Sequence, residues 1–126
     1  MAMPGVNVYP MFKLWMSSDQ AEGIFGDGKW RLLAAIDREG SLGAACKSLG
    51  ISYRKAWGDL GKAERRLGVR FLERRRGGID GGSTALTDIG KDWLDRYGRF
   101  RARVERVAAE AFELHIAELL TGSNKA

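Results

Sequence analysis

The sequence predicts a mainly helical α+β fold, and three segments lead to that prediction. Residues 41–67 contain two helical patterns, separated by a tight turn at residues 49–51. Residues 71–86 contain two short strand patterns on either side of a glycine-rich segment. From residue 93 onward, apolar residues recur at alternating steps of four and three over three heptads. Two adjacent helices, a hairpin and a long final helix together predict a winged helix-turn-helix.

A concentrated basic segment, residues 52–76, distinguishes one part of the chain from the rest. It holds nine Lys and Arg residues against three acidic ones, a local charge of +6 in a chain whose formal charge is +5. The remaining residues are therefore close to neutral overall. A basic segment on a near-neutral body is typical of proteins that bind polyanions. A charged face that meets only solvent is the alternative interpretation.

Composition argues against several other classes of protein. At 126 residues, the chain is expected to form one domain with an appended arm and no second, ligand-binding domain. The single cysteine, Cys46, permits no internal disulfide; it is expected to be a buried packing residue, with an oxidation sensor as the alternative. Pro10 and Lys13 interrupt the apolar N-terminal stretch, so we predict no signal peptide or membrane span and expect a cytoplasmic location.

The sequence contains no recognisable catalytic or metal-binding constellation. His115 is the only histidine, and no serine or cysteine nucleophile has an evident base. The glycine-rich segment is not followed by the Gly-Lys-Ser/Thr of a phosphate-binding loop. We therefore expect no metal, no cofactor and no enzymatic activity.

The N-terminal part is predicted to form strands and then a helix. Residues 8–17 alternate roughly between two sets of side chains, which predicts a strand, and residues 24–25 are expected to form a short returning strand. Asp27 is predicted to cap a helix that runs to about residue 39. Gly40 then ends that helix, since glycine is common just past a helix C-terminus.

Two serines are predicted to cap the paired helices. Ser41 precedes a short helix rich in small residues, and Ser52 precedes a longer, more basic helix. Helical spacing in the longer helix predicts a buried stripe of Ala56, Leu60, Ala63 and Leu67. The opposite face holds Arg54, Gly58, Gly61, Lys62 and Arg65. The two glycines fit either a face that approaches another surface closely or simply a weak helix.

A β-hairpin is predicted directly after the basic helix, where a winged helix-turn-helix places its wing. Its strands are residues 71–75 and 83–86, with the glycine-rich segment between them. Thr87 is predicted to cap a long final helix over residues 88–120, which follows a domain formed by residues 1–87. Residues 121–126 are expected to be a disordered tail.

The final helix is predicted to serve dimerisation. Its heptad positions are Trp93, Tyr97, Phe100, Val104, Val107, Ala111 and Leu114. We expect the Trp93 end to pack inward and the later positions to need a partner, which makes Tyr97 to Leu114 the predicted dimer contacts. A helix packed wholly on its own domain is the alternative.

Several strings in this sequence resemble a known family. They are FGDGK at 25–29, LLAAI at 32–36, GS at 40–41, LGISYRKAW at 49–57, the glycine pairs at 77–78 and 81–82, and LT at 86–87. In this order they resemble the DNA-binding domain of the ModE-type, molybdate-responsive transcription regulators. That domain is a winged helix-turn-helix related to the LysR type, which LGVRFLER at 67–74 also resembles. The resemblance covers about residues 8–115.

This resemblance implies a homodimer, joined through the final helix and the N-terminal strands, with each basic helix in one half-site of double-stranded DNA. Carried over by position, it places Ser52, Tyr53, Arg54 and Lys55 at the major groove, although Ser52 is as well explained as a cap. Lys62, Arg65 and Arg66 are candidates for the phosphate backbone, although Arg66 points away from the outward face of the helix. Arg74, Arg75 and Arg76 are expected at phosphates or the minor groove. Trp57 is interpreted mainly as a packing residue.

The family's regulators continue into a molybdate-binding module, and no segment of this sequence resembles it. A separate oxyanion-binding protein is therefore a candidate partner. The leading hypothesis is a sequence-specific, homodimeric transcriptional regulator, ModE-like but without that module. The alternatives are an architectural DNA binder without sequence preference and a protein-interaction adaptor whose basic face meets an acidic partner.

Overall fold

The computed structural model describes residues 6–75 and 83–121. The chain divides into two units, which we call the core unit (Leu14–Gly98) and the arm unit (the described residues of Met1–Lys13 and Arg99–Ala126). Arg76, the glycine-rich loop of the wing and the predicted tail after Thr121 lie outside the described residues.

The N-terminal strand is much shorter than predicted. Strand β1 is Trp15–Met16, and it pairs antiparallel with β2, Phe25–Gly26, one residue later than the predicted returning strand. The prediction of a strand over residues 8–17 is therefore wrong for residues 8–14 and for Ser17, where the structure assigns no strand. The two-residue partner β2 offers too few groups to continue the ladder, and Pro10 has no N–H to donate. The predicted alternation is still present, since Phe12, Leu14 and Met16 are half-buried between exposed neighbours.

Helix α1, Asp27–Glu39, ends as predicted but begins differently. Gly40 has a φ of +85° and donates its N–H to the Ile36 carbonyl, a left-handed C-terminal cap. The N-cap is Gly26, and Asp27 is instead the first helical residue, with a buried side chain. Its carboxylate accepts hydrogen bonds from the Leu14 N–H at 3.1 Å and the Tyr97 hydroxyl at 2.8 Å. The capping role predicted for Asp27 is wrong because these distant donors occupy it.

The paired helices begin and turn where the sequence predicts. Helix α2 is Leu42–Leu49 and helix α3 is Tyr53–Leu67. The Ser41 hydroxyl accepts from the Ala44 N–H at 3.0 Å, and the Ser52 hydroxyl accepts from the Lys55 N–H at 3.2 Å. Both capping predictions are thus confirmed. The predicted stripe of α3 is confirmed as well, with Leu67 half-buried and the other three positions buried.

The wing consists of β3, Leu72–Arg75, and β4, Ser83–Leu86, paired antiparallel from Leu72↔Leu86 to Arg75↔Ser83. Phe71, predicted to start the first strand, is a fully buried core residue instead. The Thr84 N–H donates to the Gly40 carbonyl at 3.0 Å, and its Oγ1 accepts from the Leu42 N–H at 3.3 Å. These bonds attach the base of the wing to the turn that precedes α2.

The final helix is interrupted near its end. Helix α4 is Asp88–His115, and a separate short helix, α5, is Ala117–Thr121. The prediction of one helix over residues 88–120 is wrong at Ile116, whose carbonyl accepts from the Leu119 N–H, three residues on rather than four. At the other end Thr87 caps α4 as predicted, because its Oγ1 accepts from the Gly90 N–H at 3.0 Å.

An aromatic cluster forms the centre of the core unit. The Phe25 ring lies 4.8 Å from Trp93, 5.1 Å from Tyr97 and 5.7 Å from Phe71, centroid to centroid. Trp30 adds a hydrogen bond from its indole Nε1 to the Leu94 carbonyl, at 3.1 Å. The expectation that the Trp93 end of α4 packs inward is confirmed. Such ring pairs add about 0.5–1.5 kcal/mol each beyond their burial.

Candidate nucleic-acid interface

Among the helices of the core unit, α3 has the most basic exposed face, which we call its outer face. Arg54, Lys62 and Arg65 are exposed there, opposite the buried stripe. Gly58, between them, is exposed and has no atom within 4 Å of the position that a Cβ would take. Within the described residues, these three cations form no ion pair. The face therefore presents positive charge around a flat centre.

The first turn of α3 points out of the fold. Tyr53 is 54% exposed, and Ser52, Arg54 and Lys55 are exposed too. Ser52 uses its oxygen as the helix cap, which leaves its O–H proton able to donate elsewhere. The Lys55 ammonium pairs with Asp59 at 2.9 Å. An exposed pair of this kind contributes about 0–1 kcal/mol, so a phosphate can replace the carboxylate.

The wing lies beside α3 in the same unit. Arg74 and Arg75 occupy β3, opposite Thr84 and Ser83, and Arg76 lies outside the described residues. The backbone and the side chain of Thr84 each form a hydrogen bond with the start of the helix pair, at Gly40 and Leu42, and these bonds attach the hairpin to it.

Two exposed residues near α3 bear on the predicted interface. Trp57 is 43% exposed, and its interpretation as mainly a packing residue stays a prediction. Arg70, in the segment between α3 and β3, is exposed and was not among the predicted contacts. The exposure of Trp57 could have been expected from its position one turn before Gly61 on α3. Arg70 depends on how the chain leaves the helix, which no local pattern indicates.

The acidic residues of α3 are engaged inside the fold or along the helix. The Glu64 carboxylate accepts from the Phe71 N–H at 2.6 Å and from the Leu72 N–H at 3.4 Å. Asp59 pairs with Lys55. The outer face thus keeps its positive charge without a nearby carboxylate directed at it.

The predicted dimer residues divide between the two units. Tyr97 is 3% exposed, and its hydroxyl lies 2.8 Å from Asp27 and 2.9 Å from the Leu14 carbonyl, so it is used within the core unit. In the arm unit Phe100, Val107 and Leu114 are 45%, 50% and 75% exposed. Ala111 is exposed and Val104 is half-buried. The Arg101 guanidinium stacks 4.7 Å above the Phe12 ring, which ties the N-terminal segment to α4.

Other kinds of site are not built in the described part of the chain. No group of three or more His, Cys, Asp or Glu side chains there could hold a metal ion. Cys46 is buried, and burial raises the pKa of its thiol above the ordinary value. Of the helices formed by the described residues, none has both the length and the apolar character to cross a membrane.

A tandem helix pair with an exposed basic second helix and an adjoining hairpin defines the winged helix-turn-helix class of DNA-binding regulators. The family of bacterial regulatory helix-turn-helix proteins of the LysR type matches residues 28–91, half of the chain. The chain belongs to that family.

Curated relatives confirm the resemblance to ModE-type regulators. The molybdenum-pterin-binding protein MopB of Rhodobacter capsulatus is 34% identical over 94 residues, covering 72% of this chain and 35% of MopB. The molybdenum transport protein ModE of Azotobacter vinelandii is 39% identical over 83 residues, covering 65% and 31%. The transcriptional regulator ModE of Haemophilus influenzae is 38% identical over 85 residues, covering 67% and 31%. This chain spans about a third of the length of these relatives.

Solved structures share the fold. The CbnR_DBD–DNA complex matches with a TM-score of 0.56 at 23% identity, over 69% of this chain and 94% of that chain. The BenM_DBD complex with benA site 1 DNA matches with a TM-score of 0.55 at 19% identity, over 71% and 96%. These likenesses confirm the predicted winged helix-turn-helix architecture.

Proposed function

We propose that this chain binds double-stranded DNA sequence-specifically, as a homodimer, and thereby regulates transcription. The observation that supports this most is the outer face of α3, where Arg54, Lys62 and Arg65 surround the flat position of Gly58. A helix with this profile fits the major groove of B-DNA, which is about 12 Å wide. The DNA complexes formed by CbnR_DBD and BenM_DBD, which share the fold, support the same choice of ligand.

Base recognition is assigned to the first turn of α3. The Arg54 guanidinium can donate two parallel hydrogen bonds to O6 and N7 of guanine, a contact that discriminates by about 1–3 kcal/mol. Tyr53 and Lys55 flank it on the same exposed turn. The positive end of the helix dipole lies at this turn and favours a nearby phosphate.

Phosphate contacts are assigned to Lys62 and Arg65 on α3 and to Arg74, Arg75 and Arg76 of the wing. Such contacts position the protein without distinguishing between bases. Each neutralised phosphate contributes about −0.9 to the slope of log affinity against log salt concentration on B-DNA. We therefore expect DNA binding to weaken steeply as salt rises.

Dimerisation is assigned to the exposed apolar side chains of the arm unit. Phe100, Val107 and Leu114 follow one another at heptad spacing on α4, and Val104 and Ala111 lie between them. Two copies joined there would offer two α3 helices to a palindromic site whose halves are about one helical turn, or 34 Å, apart.

The experiment that tests this function is selection of bound duplexes from a random pool, followed by affinity measurements at fixed salt. We expect an enriched palindrome that binds at least a hundredfold more tightly than its scrambled version. Arg54→Ala should remove most of that preference. Equal affinity for both duplexes would contradict sequence-specific binding and would indicate an architectural DNA binder. No binding to either at low salt would leave the adaptor hypothesis.

Regulation by molybdate is proposed to act through a separate oxyanion-binding protein. The names of two relatives connect them with molybdenum, and that connection, together with the resemblance to molybdate-responsive regulators, supports molybdate as the signal. Calorimetric titration of molybdate into this chain should give no heat of binding. A saturable heat with a change in DNA affinity would show that the chain senses the oxyanion itself.

A further inference from the structure

A groove of about 460 Å³ opens between α3 and β3. Leu60, Val69 and Leu72 lie beneath it, and Leu60 and Leu72 are almost fully buried. Its rim is formed by Trp57, Gly61, Arg65 and Arg70. The exposed indole of Trp57 beside two guanidinium groups suits a ligand with both an anionic and an apolar part.

Gly61 keeps the groove open on the α3 side. Trp57 precedes it by one turn and Arg65 follows it by one turn, so the three positions share one side of the helix. A Cβ at position 61 would stand 3.3 Å from the Arg65 Nη1 atom, which means that the guanidinium lies over the glycine. The guanidinium and the indole therefore lie on either side of a gap at Gly61, which adds no side chain of its own.

The charge of the groove is positive even though Glu64 contributes to its lining. The Glu64 carboxylate accepts backbone hydrogen bonds from Phe71, at 2.6 Å, and Leu72, at 3.4 Å. Those amides orient the carboxylate and offset part of its charge. Arg65 and Arg70, both exposed, therefore determine which ligand the groove attracts.

The position of the groove identifies that ligand, given the DNA binding proposed above. If α3 enters the major groove and the wing meets the adjacent minor groove, the strand of phosphates that separates the two grooves must cross the surface between α3 and β3. That surface is the groove described here. A sugar–phosphate strand also has the required chemistry, since the deoxyribose is apolar and the phosphate is anionic.

We propose that the groove holds this sugar–phosphate strand, with Trp57 against a deoxyribose and with Arg65 and Arg70 on the phosphates beside it. Trp57 and Arg70 thereby become DNA contacts that fix the position of the duplex without distinguishing between bases. The proposal rests on the proposed function and adds a second surface to the one on α3.

The first test compares Trp57→Ala and Arg70→Ala with Arg66→Ala, which removes an exposed cation of α3 that does not line the groove. Affinity is measured for the selected palindrome and its scrambled version at several salt concentrations. Trp57→Ala and Arg70→Ala should each weaken both duplexes by about tenfold, so that the ratio between the duplexes stays the same. Arg70→Ala should also make the salt slope shallower by about 0.9. Arg66→Ala should change the affinity less than twofold.

The second test adds a side chain at position 61 with a substitution that is expected to keep the fold stable. Gly61→Ala places a methyl group in the groove, where its only contact within 4 Å is the movable end of Arg65. Alanine favours a helix over glycine, so the thermal midpoint should rise while affinity for both duplexes falls. Gly28→Ala, in α1 with open space around it, should raise the midpoint and leave affinity unchanged.

The outcomes separate this inference from the function on which it rests. If wild-type protein binds no duplex at low salt, the proposed function fails and the inference fails with it. If wild-type protein binds but Trp57→Ala and Arg70→Ala behave like Arg66→Ala, only the inference is overturned. A change in the ratio between the two duplexes would also overturn it, because Trp57 or Arg70 would then contact bases.

Discussion

Gly58 lies on the outer face of α3, where it weakens the helix and leaves the exposed surface without a side chain. A Cβ there would meet nothing within the protein, so packing does not explain the glycine. Gly58→Ala should therefore stabilise the fold by about 0.5–1 kcal/mol, measured by urea unfolding. It should also weaken binding to the selected palindrome by about tenfold, because the methyl group faces the DNA.

This substitution distinguishes the two interpretations of the α3 glycines that the sequence left open. If Gly58 only makes a weak helix, the variant gains stability and keeps its affinity for DNA. Gly28→Ala is the matched control, since it adds a methyl group to open space on α1 rather than on α3.

Cys46 is expected to be chemically inert in the folded protein. Its side chain is 3% exposed, and burial raises the pKa of the thiol, so little thiolate forms at neutral pH. A chromogenic disulfide reagent should react with the native protein far more slowly than with protein unfolded in urea. Rapid labelling of native protein, together with altered DNA binding, would instead support an oxidation sensor.

The raised thiol pKa also predicts how stability depends on pH. The fold favours the protonated thiol, so this contribution is complete below the pKa of the unfolded thiol. It is lost as the pH rises through the higher, folded value. Urea unfolding of wild-type protein and Cys46→Ala should therefore show their stability difference narrowing above that lower pKa. A difference that stays constant across this range would contradict the assignment.

The sequence predicts the roles of residues that act on their neighbours in the chain, but not the roles of residues whose partners are distant in the chain. The capping serines Ser41 and Ser52 act on amides three residues away, so the sequence alone indicates them. Asp27 looked like another cap, but its partner Tyr97 is 70 residues distant. No local pattern separates these two environments for an acidic residue at a helix start.

At Gly90, helix α4 makes a close backbone contact with Phe71, the residue before β3. A Cβ at this position would overlap the Phe71 carbonyl oxygen and stand 3.2 Å from its carbon. Gly90→Ala should therefore destabilise the fold by about 1–3 kcal/mol in urea unfolding, because backbone on both sides resists movement. The Thr87 hydroxyl caps α4 and donates to the Arg70 carbonyl beside this contact.

Gly98→Ala is the comparison for this prediction, since it lies on the same helix and the atoms nearest to its Cβ would belong to the Trp30 side chain, at 3.4 Å. Gly98→Ala should lower the free energy of unfolding by less than Gly90→Ala does. Equal effects of the two substitutions would contradict the close contact at Gly90.

Elements with strong local signals were predicted well, and elements that depend on a partner were not. Helices α1, α2 and α3 have periodic apolar residues and glycine ends, and the sequence places their limits closely. The N-terminal strand alternates correctly but lacks a partner of equal length, so pairing stops after two residues. For the same reason the groove escaped prediction, because it exists only where α3 and β3 meet.

Assembly of two copies is expected to depend on the exposed apolar face of α4. Val107 lies at the centre of that face and is half-exposed. Val107→Glu should shift the protein from dimer to monomer in analytical ultracentrifugation, because a pair of carboxylates would be buried at the contact. Affinity for the palindrome should fall, while affinity for a single half-site should remain.

Ala109→Glu provides the matched control for this change. Position 109 lies about 200° around the helix from position 107 and is exposed. The control should remain dimeric. A dimer that survives Val107→Glu would place the contact between copies elsewhere in the molecule.

The central claim is that two α3 helices enter successive major grooves of one duplex. Methylation protection of guanine N7 atoms on the selected palindrome tests it most directly, because that atom lies in the major groove. We predict protection of two clusters about one helical turn apart on the same side of the duplex, both lost with Arg54→Ala. Binding that leaves every guanine N7 open to methylation would contradict the claim.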